Sequence, residues 1–151
     1  MTRRWWRAAC GLVAVAALAG AACDEKLSDV TGPTPNLEPT FSSIQQDIFE
    51  APDSSGRPAC INCHTSQGRT PAGGLNLLHD SAYAQLVSVP SRGKPDAIRV
   101  QPGNADTSYL IHKLEGSPDI VGSRMPLRGP YLSAGQILVL QRWIALGAPN
   151  N

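Results

Sequence analysis

From residue 41 onward, apolar positions come in short runs at helical spacing, and no stretch alternates apolar and polar residues as a half-buried strand does. Phe41, Ile44, Ile48 and Phe49 predict a helix over 42–50, with Ser42 or Ser43 placed to cap it. Asp80 is placed to open a short helix through Val87, with Tyr83, Leu86 and Val87 on its apolar side and Pro90 beyond its end. Asp106 is placed to open another from Thr107 to Leu114, closed by Gly116. Ser133-Ala134-Gly135-Gln136 has the form of a capping box, and Ile137, Leu140 and Ile144, with Leu138 and Trp143 beside them, carry a last helix to Gly147. The pattern predicts a single all-α domain over 41–150 with no internal repeat. Its long connections, rich in Gly and Pro, leave little apolar sequence for a core, so a buried apolar prosthetic group would complete it.

The first forty residues read differently. Arg3, Arg4 and Arg7 precede an apolar run from Ala8 to Ala22, the basic and hydrophobic regions of an export signal spanning 1–22. The run is short for a membrane span. It ends Gly20-Ala21-Ala22-Cys23, which resembles a bacterial lipoprotein signal in which Cys23 becomes the lipidated N-terminus, although the usual leucine three before the cysteine is Gly20 here. Cleavage at an ordinary Ala-x-Ala site is the alternative, and either route exports the chain. Residues 23–40 are polar, carry Pro33, Pro35 and Pro39, and read as a tether. The expected location is the periplasmic side of a membrane, through a lipid anchor, or the periplasm itself.

Removing Arg3, Arg4 and Arg7 from the thirteen basic residues leaves ten against twelve acidic ones. A chain so close to neutral, without interleaved basic and aromatic residues, is not built for nucleic acid.

Its chemistry is concentrated in Cys60-Ile61-Asn62-Cys63-His64. In an exported chain a Cys-x-x-Cys-His pentapeptide reads as the covalent attachment site of a c-type haem: two thiols three residues apart reach two vinyl groups on one haem edge, and the next imidazole faces the iron. The other two cysteines, Cys10 and Cys23, fall in the leader. A structural zinc site needs a second ligand pair, and His79 and His112 stand 33 residues apart, outside finger spacing. A thioredoxin-like motif needs alternating strands and helices around it, and a Cys60–Cys63 disulfide would close too small a loop to stabilise much.

Apart from Met1 the one methionine is Met125, 61 residues after His64 and followed by Pro126. A thioether opposite an imidazole favours ferrous iron and raises the reduction potential, so His64 and Met125 are the expected iron ligands. His79 or His112 in place of Met125 would give a bis-histidine centre of lower potential.

The pentapeptide, Ile48-Phe49 before it, Gly73-Gly74-Leu75, Val100-Gln101-Pro102-Gly103, Ser108-Tyr109-Leu110, Arg124-Met125-Pro126, and Trp143 to Ala148 together resemble a small bacterial class I c-type cytochrome domain over residues 41–150. The resemblance implies an all-α cytochrome c fold, with N- and C-terminal helices packed around one covalent haem c. It implies His64 as proximal and Met125 as distal ligand, and a carbonyl from Pro71 or a neighbour orienting the proximal imidazole. Arg92, Arg99 and Arg128 are its candidates for the haem propionates. The implied function is single-electron transfer between periplasmic or membrane-bound redox proteins, without a substrate of its own. The alternatives are a haem enzyme or ligand sensor with a labile Met125, and an accessory haem subunit of a larger complex.

Overall fold

The structure, a computed structural model, describes residues 32–151. The export signal, Cys23 and the first half of the proposed tether lie outside the described residues. Helix α1 covers Phe41–Ile44 and continues as a wider π-helical segment over Gln45–Glu50. Thr40 caps α1, accepting from the Ser43 amide, so the cap falls earlier than the serines that follow it. Helix α2 is His79–Leu86, α3 is Tyr109–Glu115 and α4 is Ala134–Ala145. Single 3₁₀ turns form at Cys60–Asn62 and Ala72–Gly74.

The chain is not the all-α cytochrome c fold expected from the sequence, with terminal helices packed around a haem. Between α2 and α3 it forms an antiparallel hairpin, β1 at Pro90–Ser91 and β2 at Lys94–Ile98, giving a mixed α/β arrangement. Pro90 pairs with Ile98 and Ser91 with Lys94, across the Arg92-Gly93 turn. The strands carry no apolar alternation because both lie near the surface, and prolines at 90 and 95 are tolerated where an edge amide need not donate to a ladder. The hairpin ties into the helices by backbone bonds, Arg99 N to Val89 O at 2.8 Å and Leu110 N to Arg99 O at 2.8 Å, and so fixes Arg99 between α2 and α3.

Gly116 ends α3 in the left-handed region at φ 78°, as a helix-closing glycine does. At α4 the capping box is complete: the Ser133 hydroxyl accepts from the Gln136 amide, and the Gln136 side chain accepts from the Ser133 amide.

The core gathers one face of each helix. Phe41, Ile44 and Ile48 meet Leu86, Val100 and Ile111 from the middle of the chain and Leu140, Trp143 and Ile144 from α4. The Phe41 ring lies 5.1 Å from Tyr83 and 5.6 Å from Trp143, and Trp143 Nε1 donates to the Pro149 carbonyl. The end of the proposed tether is docked: Leu37 is 1% exposed within this core, and Thr34 Oγ1 accepts from Gln136 Nε2. Trp143 is wholly buried at the centre of these contacts, so Trp143→Ala is expected to cost about 3–5 kcal/mol, read as a lower urea midpoint with unchanged slope.

Candidate functional site

The segment carrying the pentapeptide is shaped by a side chain seven residues beyond the end of α1 and its π-helical extension. Helix ends leave carbonyls without partners. Here Arg57, 0% exposed, folds back over them: Nη1 donates to Ile48 O at 2.9 Å and to Pro58 O at 3.1 Å, and Nη2 donates to Asp47 O and Ala51 O, each at 3.1 Å. Nε donates to the buried Asp53 carboxylate at 2.9 Å, which completes the five donors of the guanidinium. Burial pushes the Asp53 pKa up, but hydrogen bonds from Ser55, Gln136 and Arg57, with the Arg57 charge, outweigh it and hold it at about 2. Gln136, through the same side chain that completes the capping box, connects α4 to this knot.

The 3₁₀ turn follows. Cys60 O accepts from both Cys63 N at 3.2 Å and His64 N at 3.0 Å, so the pentapeptide closes on itself as one turn. Cys60 Sγ points inward, donates to Ile48 O at 3.3 Å and lies 4.0 Å from Arg57 Nη1. Burial raises its pKa to about 11 against the pull of Arg57, so at neutral pH it is a thiol rather than a thiolate. Cys63 is exposed.

His64 is half-buried, and its Nδ1 lies 3.0 Å from the Ala72 carbonyl oxygen. A hydrogen on Nδ1 leaves the lone pair on Nε2, the tautomer a metal-binding imidazole requires. The carbonyl is delivered by the Ala72–Gly74 turn, which needs the left-handed glycines Gly73 and Gly74, at φ 60° and 63°. Cys63 O accepts from Ala72 N and His64 O from Leu77 N, so the turn is bolted to the pentapeptide on both sides. Burial lowers the His64 pKa; the Ala72 and Leu75 carbonyls raise it in part, and the charges of Arg99 and Lys113 lower it again. The net effect keeps the ring neutral.

Met125 sits on a separate loop, half-buried against the core, with its amide donating to Lys113 O at 2.8 Å. The same Lys113 carries one of the charges felt by His64. Arg124, next to Met125, donates to Leu114 O at 2.7 Å and stacks 4.0 Å over the Tyr131 ring. The other histidines are committed or remote: His79 is exposed at the start of α2, and both ring nitrogens of His112 contact oxygens of Asp119 and Asp106.

Among the arginines, Arg99 is buried, donates to Gln85 O at 2.7 Å and Gly74 O at 3.2 Å, and has no carboxylate partner among the described residues. Arg92 is exposed with its stem against Gly74, and Arg128 is exposed. The structure therefore brings Cys60, Cys63 and His64 into one turn with Arg99 near its rear wall. Arg57 and Gln136 escape sequence reading, although Asp53 and Arg57 stand at an i, i+4 spacing just before the first cysteine.

Among the described residues no group of three or more His, Cys, Asp or Glu side chains gathers to hold a metal ion, and none of their helices is long and apolar enough to cross a membrane. No protein-family model, curated protein or solved structure matches this chain.

Removing the Arg57 charge strands Asp53 and takes a donor from each of four carbonyls, so Arg57→Met is expected to destabilise the chain by about 3–5 kcal/mol, measured by urea unfolding. For His64 the folded pKa lies below the ordinary 6.5, so the unfolded chain binds the proton first. Stability is complete above pH 6.5 and falls as the pH drops toward the folded value; in the metal-free chain His64→Gln is expected to remove that part of the acid loss, seen in urea midpoints across the interval.

Proposed function

We propose that this chain is a monohaem c-type cytochrome that passes single electrons between redox proteins at the periplasmic side of a bacterial membrane or in the periplasm. The observation that carries the reading is the contact of His64 Nδ1 with the Ala72 carbonyl, which leaves Nε2 to present a lone pair, in the same turn as two free cysteines.

The donor set suits haem better than a bare ion. A porphyrin supplies four nitrogens, so the protein has only to provide one or two more ligands, and this chain offers His64 and Met125. The Cys60 and Cys63 thiols would hold the group as thioethers, each sulfur bonding to a vinyl carbon with the thiol hydrogen going to the neighbouring carbon. Arg99, buried and without a carboxylate partner, suits an anionic propionate better than the exposed Arg92 or Arg128. Bound haem supplies a reversible one-electron couple, Fe(III) to Fe(II). The protein's part is to hold His64 neutral, keep the Ala72 acceptor in place and present the soft Met125 sulfur. Cys23, as a lipidated N-terminus, would keep the domain at the membrane while leaving it free to meet partners through small transient interfaces.

A second reading, a ligand sensor or haem enzyme with Met125 released, draws on the exposure of Val121, Leu127 and Tyr131 on the Met125 loop. The test is the full chain matured in the periplasm of a haem-attaching host. Intact mass is expected to show one covalent tetrapyrrole, lost in the double variant Cys60→Ala/Cys63→Ala, with a low-spin c-type reduced spectrum. Met125→Ala is expected to retain the haem, lower the reduction potential and bind carbon monoxide quickly. Unmodified thiols in the wild-type chain would end the haem reading, and rapid stoichiometric carbon monoxide uptake by the wild type would favour the second.

A further inference from the structure

The loop that brings Met125 to its place is fastened along one side of α3. Tyr109, His112 and Lys113 stand at helical spacing on one face. The Tyr109 hydroxyl accepts from Val121 N at 2.8 Å, Lys113 Nζ donates to the carbonyls of Val121 and Ser123, and Lys113 O accepts from Met125 N. His112 holds the beginning of the same loop through Asp119.

Its contacts have a particular chemical requirement. Nδ1 lies 3.0 Å from each carboxylate oxygen of Asp119, and Nε2 lies 2.6 Å from the Asp106 carbonyl oxygen. A carbonyl cannot donate. Neither can an ionised carboxylate, and hydrogen bonds from Lys94 and His112 hold Asp119 below the ordinary carboxylate range. Both ring nitrogens must therefore carry hydrogens, and only the imidazolium satisfies both contacts. A neutral ring sets one lone pair against another and gives up either Asp106 or Asp119.

We propose that protonated His112 is a positioning residue for Met125: it clasps the 117–125 loop to α3 and to the turn before it, and deprotonation breaks the clasp at one of its two ends. The proposal rests on Met125 as an iron ligand. The groups facing His112 are the Asp119 carboxylate from the loop, Lys94 from β2, the Tyr109 ring at 6.3 Å from its own helix, and the Asp106 carbonyl. Lys94 keeps its bonds to the Asp119 carboxylate and carbonyl at 2.8 and 3.1 Å, so opening loosens the loop without freeing it. The Asp106 carbonyl, followed by Asp119, raises the His112 pKa against burial and Lys94. A raised folded pKa means that the clasp is complete below the ordinary 6.5 and is lost as the pH rises through the higher folded value.

The test is hydrogen exchange of the matured full chain between about pH 6 and about pH 9, corrected for intrinsic rates, with the Leu140 amide in α4 as reference for global opening. Protection of the Val121 and Met125 amides is expected to fall about three- to five-fold across the His112 titration, the scale of a part-exposed ion pair. His112→Gln, which cannot donate from both positions, is expected to lack that step and to exchange at the wild-type high-pH rate throughout. Carbon monoxide association with the ferrous protein is expected to quicken over the same interval in the wild type and to be flat in the variant. A pH-independent wild type, or a step that survives in His112→Gln, would overturn the clasp. An exchange step with no counterpart in carbon monoxide association would overturn the positioning role. Absence of haem in the wild type would defeat the functional reading alone, since exchange still decides the clasp.

Discussion

The five donors of Arg57 are the constraint on which the site depends. A helix that ends inside a protein leaves carbonyls that must be satisfied, and a charge buried there must be paired. Arg57 answers both needs at once: its guanidinium covers the carbonyls of Asp47, Ile48 and Ala51, and Asp53 neutralises it. The chain between is thereby drawn into a loop of fixed shape, and the cysteine turn starts from its end. Because Gln136 reaches Asp53 from the first turn of α4, the same charge pair joins the N-terminal and C-terminal parts of the core.

From that anchor the construction proceeds by backbone bonds. The pentapeptide closes on Cys60 O, the glycine turn is fastened to Cys63 O, and the Ala72 carbonyl is carried to Nδ1 of His64. The hairpin then sets Arg99 against the back of that turn through Gly74 O. Lys113 ties down the loop of Met125 while its charge reaches His64. The Met125 loop is thus held by a backbone bond to α3.

Much of this was legible wherever the signal is local. The Ser133 and Gln136 pair specifies its own reciprocal hydrogen bonds, and Gly116 specifies a left-handed stop, because both depend on residues within one turn. Cys-x-x-Cys-His fixes three reactive groups on one turn for the same reason. Helix starts shifted where competing polar side chains stand close together. Thr40 caps in place of Ser42 or Ser43, and α3 begins after Ser108, whose hydroxyl donates to Asn104 O and accepts from Gln101 N, rather than after Asp106. The hairpin was hidden because its strands are short, exposed and interrupted by prolines, so no period of two marks them. Arg57 was hidden for a different reason: its partners are carbonyls up to ten residues away, and no side-chain pattern encodes a carbonyl.

The Ile48 carbonyl bears on what happens when the Cys60 sulfur gains a second carbon. In the free chain that oxygen accepts from both the sulfhydryl and Arg57 Nη1. Alkylation turns the sulfur from a donor into a weak acceptor, which would ordinarily orphan a buried oxygen. Here the guanidinium Nη1 already donates to that oxygen, so it would keep a donor. A thioether at Cys60 would therefore leave the Ile48 oxygen satisfied.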